Sequence, residues 1–157
     1  MSIFCDTLDT PLGDLTLEAS ERGLSSIRFP NRPKSIVGRL TSNNVIKLAK
    51  QELTAYFASQ LKEFSVPLDW HGTAFQESVW RALTAIPYGE TLSYADIARA
   101  IGRPQSARPT GGAVGRNPLP IFVPCHRVVG SDHTLTGFTG GLKIKAALLK
   151  LEDRMVE

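Results

Sequence analysis

Cysteine, histidine and long apolar runs are all scarce in this 157-residue chain, which has two cysteines and three histidines. Cys5 and Cys125 do not make a disulfide framework, so we expect free thiols in a reducing compartment. Together with His71, His126 and His133 they lack the ligand spacing of a zinc site. No apolar run approaches the ~18 residues of a membrane span, and the start MSIFCDT lacks signal-peptide regions. We therefore expect a cytoplasmic protein with no metal and no membrane partner.

The composition is that of a globular protein, 42% hydrophobic and 21% charged, with a net charge of +3. The excess positive charge lies in the second half, where residues 73–157 carry ten Lys+Arg against seven Asp+Glu. Between Ile97 and Ser131 there are five arginines and no lysine or acid, namely Arg99, Arg103, Arg108, Arg116 and Arg127. A stretch of this kind suits a phosphate backbone, with a solvated basic face as the equal alternative.

Residues 1–72 have the pattern of a small sheet followed by one helix. Alternating segments at Leu15–Ala19 and Leu24–Phe29 flank a turn with glycine, and Ile3–Leu8 can supply a third strand. From Asn43 to Leu61 apolar residues recur at steps of three and four, which predicts an amphipathic helix packed on the sheet. Its inward positions are Val45, Leu48, Ala49, Leu53, Tyr56, Phe57 and Leu61. We place the boundary to a second lobe at His71-Gly72.

Residues 73–157 predict a mainly helical lobe. Thr73 and Gln76 have capping-box spacing, and a second helix starts near Ser93 and ends at Gly102. Pro109 is expected at the first position of a third, short helix. Two short helices with a tight link are typical of a helix-turn-helix.

After these helices the pattern is less regular. Residues 119–123 are expected to be extended, and Leu135–Phe138 to form a wing-like strand. Gly140-Gly141 then opens a last helix, with Leu142, Ala146 and Leu149 facing inward.

The strongest chemical signal is Pro124-Cys125-His126-Arg127, which follows an apolar run. A histidine base and an arginine cation next to a thiol can lower its pKa and make it a nucleophile. Cys125 can instead be a small buried hydrophobe, and His126 a structural histidine. Glu152, near the end of the last helix, is either the acid that orients His126 or a solvated helix-terminal glutamate. Tyr94 can equally be a core aromatic, and Arg108 a phosphate contact.

A larger set of motifs carries a resemblance to a known family. Pro124-Cys125-His126-Arg127-Val128 is preceded by Gly115-Arg116-Asn117-Pro118 and followed by Thr136-Gly137 and Gly140-Gly141-Leu142. Over at least residues 73–152 the chain resembles the O6-alkylguanine-DNA alkyltransferases. The resemblance implies an α/β (α+β) fold with a ribonuclease-H-like N-terminal lobe and a winged helix-turn-helix C-terminal lobe.

The resemblance also implies a function and roles for residues. The function is irreversible, stoichiometric transfer of the alkyl group of O6-alkylguanine, and of O4-alkylthymine, to one cysteine after nucleotide flipping. Such a single transfer would require no cofactor and no metal. Cys125 would be the alkyl acceptor. His126, acting through a water, would ionise it together with Glu152. Asn117 would brace the turn that carries the cysteine, and Tyr94 would protonate the leaving base. The backbone around Val128 and Thr139, with Phe138, would line the substrate pocket. Double-stranded DNA would be contacted by Arg108, Pro109, Thr110, Arg116 and Arg127. Arg108 would be the finger that fills the gap left in the duplex by the flipped nucleotide. The protein would act as a monomer.

Two departures from the family pattern stand out. Phe138 replaces the usual tyrosine, so a hydroxyl is missing from the pocket wall. Pro109 replaces the usual alanine after the finger, and it would hold Arg108 in an extended conformation. The rival functions are a lesion-binding protein of the alkyltransferase-like type, which typically lacks the cysteine, and a DNA-binding regulator, which leaves Pro-Cys-His-Arg unexplained.

Overall fold

The computed structural model describes residues 3–31, 41–132, 135–138 and 140–156, with only the backbone for 154–156. The chain forms two compact units, Met1–His71 and Gly72–Glu157. The mixed α/β class, with an antiparallel sheet first and helices afterwards, agrees with the prediction. No described helix is long and apolar enough to cross a membrane.

The first unit contains an antiparallel sheet in the order β1-β2-β3. Its strands are β1 (Phe4–Thr10), β2 (Gly13–Ala19) and β3 (Leu24–Arg28). Thr10 pairs with Gly13 across the first turn, where glycine has φ +98° and a Cβ would lie 2.8 Å from Pro30 Cγ. Leu15 and Leu17 of β2 are fully buried because alternate side chains of a strand face the same side.

Helix α1 (Asn44–Phe57) packs against this sheet. Asn43 caps it by accepting a hydrogen bond from the Ile46 N–H at 2.9 Å. The predicted end at Leu61 is wrong, because Ser59 adopts φ +61° and the Gln60 N–H returns to the Ala55 carbonyl. That is a Schellman ending made without glycine. The buried residues are Ile46, Ala49, Leu53 and Tyr56, so the predicted inward face was rotated toward Val45 and Leu48.

The second unit begins with two capped helices. Helix α2 (Ala74–Thr84) has the predicted Thr73–Gln76 capping box, and α3 (Tyr94–Ala100) has another formed by Ser93 and Asp96. Directly before α3, β4 (Leu92–Ser93) pairs in parallel with β5 (Val128–Val129). The start of α3 is therefore held next to the segment that follows the Pro-Cys-His-Arg motif.

Helix α4 (Ala107–Gly115) packs on α2 and α3 and completes the predicted helix pair. Its N-cap is Ser106, so Pro109 is the third helical residue and not the first. Arg108 is consequently helical, and the expected extended conformation is wrong. Proline is tolerated there because the first N–H groups of a helix have no intrahelical acceptor. The Trp80 indole ties α2 to α4 by donating to the Ala113 carbonyl at 2.9 Å.

Three predictions for the end of the chain are wrong. Residues 119–123 form a tight turn, closed by the Val123 N–H and the Leu119 carbonyl at 2.8 Å. Leu135–Phe138 is not a strand, because no β-strand among the described residues forms a ladder with it. Helix α5 (Leu142–Val156) buries Lys145, Leu148 and Glu152, whereas Leu142 is 48% exposed. The inward face was missed because two of its three residues are charged.

The two serines at helix N-caps give a test of the capping contacts. Ser93→Ala removes the acceptor for the Asp96 N–H, so we expect unfolding free energy to fall by about 1 kcal/mol. Ser106 makes no side-chain cap bond, so Ser106→Ala should change stability by only a few tenths. Urea denaturation of both variants checks this; equal losses would contradict the assignment.

Candidate active site

Cys125, His126 and Arg127 form one turn of 3-10 helix immediately after Pro124. The Arg127 N–H donates to the Pro124 carbonyl at 3.0 Å, and the Val128 N–H donates to the Cys125 carbonyl. A 3-10 turn has about three residues, so successive side chains leave it in different directions. The bend at Pro124 therefore separates the surroundings of the thiol, the imidazole and the guanidinium.

Asn117 braces the turn that leads into this motif. Its amide donates to the Val123 carbonyl at 2.8 Å, and its side-chain oxygen accepts from the Leu119 N–H at 2.9 Å. Within the turn, Ile121 has φ +76°, a conformation that a β-branched residue rarely adopts. Ile121 is 1% exposed, so the surrounding core holds it in place. Asn117 thus contacts the turn in the way expected, and its role at the site stays a prediction.

Glu152 accepts hydrogen bonds from the two residues that follow Cys125 in the chain. His126 Nε2 lies 2.6 Å from Glu152 Oε2, and Arg127 binds both carboxylate oxygens, Nε to Oε1 at 2.9 Å and Nη2 to Oε2 at 3.0 Å. Arg127 also donates to the Ile86 carbonyl and lies over the Tyr88 ring. Because Arg127 is 6% exposed, the prediction that it contacts DNA is wrong. Its charge serves a buried ion pair instead.

The contacts of His126 define its tautomer. Burial lowers the pKa of His126 although Glu152 raises it, so the ring is neutral. A neutral ring bonded to a carboxylate through Nε2 carries its proton there. Nδ1 is then a basic nitrogen, buried and without a hydrogen-bond partner in the described part of the chain. His126 is thus arranged to accept a proton.

Cys125 is buried, and burial raises the pKa of its thiol to about 11. The Asn117 side chain, the Lys145 ammonium and nearby backbone N–H groups oppose this rise. The expectation that Arg127 lowers the thiol pKa is wrong, because Arg127 is committed to Glu152. The resting cysteine is a neutral thiol at pH 7, and its proton must be removed before it attacks.

Lys145 was not identified from the sequence, and Thr136 was named there only as part of a motif, with no role at the site. Lys145 is 1% exposed, and its ammonium donates to the Thr136 carbonyl at 3.3 Å and to Thr136 Oγ1 at 3.4 Å. The predicted site residue Tyr94 has its hydroxyl 2.7 Å from Thr136 Oγ1. A charged residue seven positions before Glu152 on one helix was the available signal, since both then face inward.

The other residues predicted to contact DNA or the substrate differ in how exposed they are. Arg108, Pro109 and Arg116 are exposed and remain predicted DNA contacts. Thr110 is fully buried, so its predicted contact with DNA is wrong. Val128 is buried in β5, and Phe138 is half-buried.

Thr139 lies outside the described residues. Among the residues that the structure describes, no three His, Cys, Asp or Glu side chains cluster as metal ligands.

Two family models match the chain. The model described as 6-O-methylguanine DNA methyltransferase, DNA binding domain, matches residues 74–154. The one described as 6-O-methylguanine DNA methyltransferase, ribonuclease-like domain, matches residues 3–70. The two matches together span nearly the whole chain and divide it close to the boundary between the two units.

Curated and solved relatives agree with these matches. The methylated-DNA–protein-cysteine methyltransferase of Mycobacterium leprae is 45% identical, over 98% of this chain and 94% of that protein. A crystal structure of Mycobacterium tuberculosis O6-methylguanine methyltransferase has a TM-score of 0.87 at 43% identity, covering 98% of this chain and 94% of that one. A crystal structure of Mycobacterium tuberculosis OGT in complex with DNA has a TM-score of 0.85 at 46% identity, covering 95% and 92%.

The raised pKa of the thiol can be measured directly. In a Cys5→Ser background, thiolate absorbance should titrate with a midpoint of about 11, against 9.0 for an ordinary cysteine. Because the unfolded thiol ionises first, unfolding free energy should also fall between those two pH values. Urea-unfolded protein is the control and should titrate near 9.0. A native midpoint below 9.0 would contradict the neutral resting thiol.

Proposed function

Because the chain belongs to the 6-O-methylguanine DNA methyltransferase family, we propose that it repairs DNA by transferring the alkyl group of O6-alkylguanine to Cys125. One observation carries the assignment of the acceptor. Cys125 shares a single helical turn with His126. The Nε2 of His126 is bonded to Glu152, and its basic Nδ1 is buried. DNA is the binding partner, and O4-alkylthymine is a second substrate of the same chemistry.

The geometry supports separate roles for His126 as the base and Cys125 as the nucleophile. His126 accepts the thiol proton through a water, and Glu152 stabilises the imidazolium that results. The sulfur then forms a bond to the alkyl carbon as the carbon–O6 bond breaks. The electron pair of that bond returns to guanine, which takes a proton from the Tyr94 hydroxyl. The product thioether does not hydrolyse, so each molecule acts once and, as a monomer, needs no second subunit.

Burial of Cys125 requires the substrate base to come to the sulfur. Cys125 is 3% exposed, and a stacked base would have to leave the duplex to reach it, at a cost of a few kcal/mol. Arg108 is the second residue of α4 and is exposed, which supports a role in occupying the gap that the extruded nucleotide leaves in the duplex. Arg116, exposed at the end of the same helix, would bind a phosphate.

The mass of the protein after reaction tests the acceptor. Incubation with duplex DNA containing O6-methylguanine should add one methyl group to the Cys125 peptide, and Cys125→Ser should bind the same DNA without gaining mass. Cys5→Ser is the matched control and should react as fully as the parent. Methylation of Cys5, or of neither cysteine, would refute the proposal.

A comparison of two substrates tests Arg108. Arg108→Ala should slow transfer from duplex DNA at least about tenfold, which corresponds to ~1.4 kcal/mol. Reaction with free O6-benzylguanine, which needs no extrusion, should be unchanged. Arg81→Ala is the control, since Arg81 is 65% exposed on α2 and pairs with Glu77. Equal losses on both substrates would remove the role in extrusion.

A further inference from the structure

Three side chains form a hydrogen-bonded chain that starts from the buried amine of Lys145. Lys145 Nζ donates to Thr136 Oγ1 at 3.4 Å and to the Thr136 carbonyl at 3.3 Å. Thr136 Oγ1 lies 2.7 Å from the Tyr94 hydroxyl, and either oxygen of that pair can be the donor. Lys145 also interacts electrostatically with Cys125. The chain therefore connects Tyr94 to the surroundings of the thiol.

Counting donors and acceptors favours one direction for these bonds. An ammonium group has three donors and no acceptor, so Thr136 Oγ1 accepts from Lys145. The Thr136 hydroxyl has one proton, and Tyr94 Oη at 2.7 Å can accept it. Donation from Thr136 to Tyr94 gives each group a partner. If Tyr94 donated instead, Thr136 Oγ1 would accept twice and its own proton would lose this partner.

We propose that Thr136 is a positioning residue that keeps the Tyr94 O–H free to donate to the departing base. The inference rests on the proposed function, because only a leaving guanine needs this proton. With its oxygen occupied as an acceptor from Thr136, Tyr94 keeps its O–H for a second partner. The bond from Thr136 also stabilises the phenolate as Tyr94 gives up its proton, because hydrogen bonds to a charged form favour it.

The alternative is that the Thr136 hydroxyl only stabilises the loop around it. Thr136→Val removes the hydroxyl at nearly constant volume, and Thr136→Ser restores it. A purely structural hydroxyl would act in the same way whether or not Tyr94 has its phenol. A positioning hydroxyl acts through that phenol alone, so its effect should vanish when Tyr94 is replaced by phenylalanine.

The experiment measures single-turnover transfer at saturating O6-methylguanine DNA near neutral pH, where Lys145 is an ammonium. The variants are Thr136→Val, Thr136→Ser, Tyr94→Phe and the double variant Tyr94→Phe/Thr136→Val. We expect Thr136→Val to be about tenfold slower, which is less than the roughly 10²–10⁴-fold of a group that itself transfers the proton, because Thr136 acts through Tyr94. Thr136→Ser should react at close to the parent rate. Thr136→Val should add nothing to Tyr94→Phe.

A second reagent separates this role from damage to the site. Iodomethane alkylates a thiol with iodide as leaving group and needs no proton donor. In a Cys5→Ser background, Thr136→Val should therefore react with iodomethane at the parent rate. Thr84→Val, in which an exposed hydroxyl bonded to the Arg81 carbonyl is lost, is the matched control and should change neither rate.

The outcomes distinguish failure of the role of Thr136 from failure of the proposed alkyl transfer. A parent protein that takes no methyl group from DNA refutes the proposed function and the inference with it. A parent that reacts, beside a Thr136→Val variant that is equally fast, refutes the inference alone. The inference is also overturned if Thr136→Val slows the iodomethane reaction, or if it slows transfer equally with and without the Tyr94 phenol.

Discussion

The buried carboxylate of Glu152 is the constraint on which the site depends. It lies on α5 and accepts from His126 and Arg127, so it joins the last helix to the turn that carries the thiol. Arg127 extends the connection to the Ile86 carbonyl beyond the end of α2. Removing one partner of such a buried pair costs about 3–5 kcal/mol, because the other charge is left uncompensated. The position of the cysteine thus depends on three separate segments.

The two buried cations near the cysteine have different tasks. Arg127 presents a planar fork that matches the carboxylate of Glu152, and its charge is neutralised there. Lys145 is a point charge whose acceptors are neutral oxygens of Thr136, so its field still acts on the sulfur. This separation explains how a site rich in positive charge keeps a thiol protonated at rest while it can still support a thiolate.

Local signals in the sequence identified much of the fold, whereas tertiary contacts decided what was missed. The box at Thr73–Gln76 and the motif around Cys125 were predictable because their partners are near in the chain. Arg127 looked available to phosphates because nothing local shows that Glu152, 25 residues later, will bind it. The inward face of helix α5 was predicted wrongly because the spacing of apolar residues gives no sign that a lysine and a glutamate are buried. The end of α1 was missed because serine took a conformation usually given to glycine.

The left-handed backbone at Ile121 has a consequence for sequence variation at that position. Glycine would remove the strain, which is about 1–3 kcal/mol, but it would also empty space that a buried isoleucine fills, a loss of at least the roughly 2–5 kcal/mol of an Ile→Ala change. The packing term outweighs the strain, so selection for stability retains a bulky apolar side chain in a conformation that disfavours it. Homologous or laboratory-evolved chains should therefore vary here in the shape of the side chain and not in its volume.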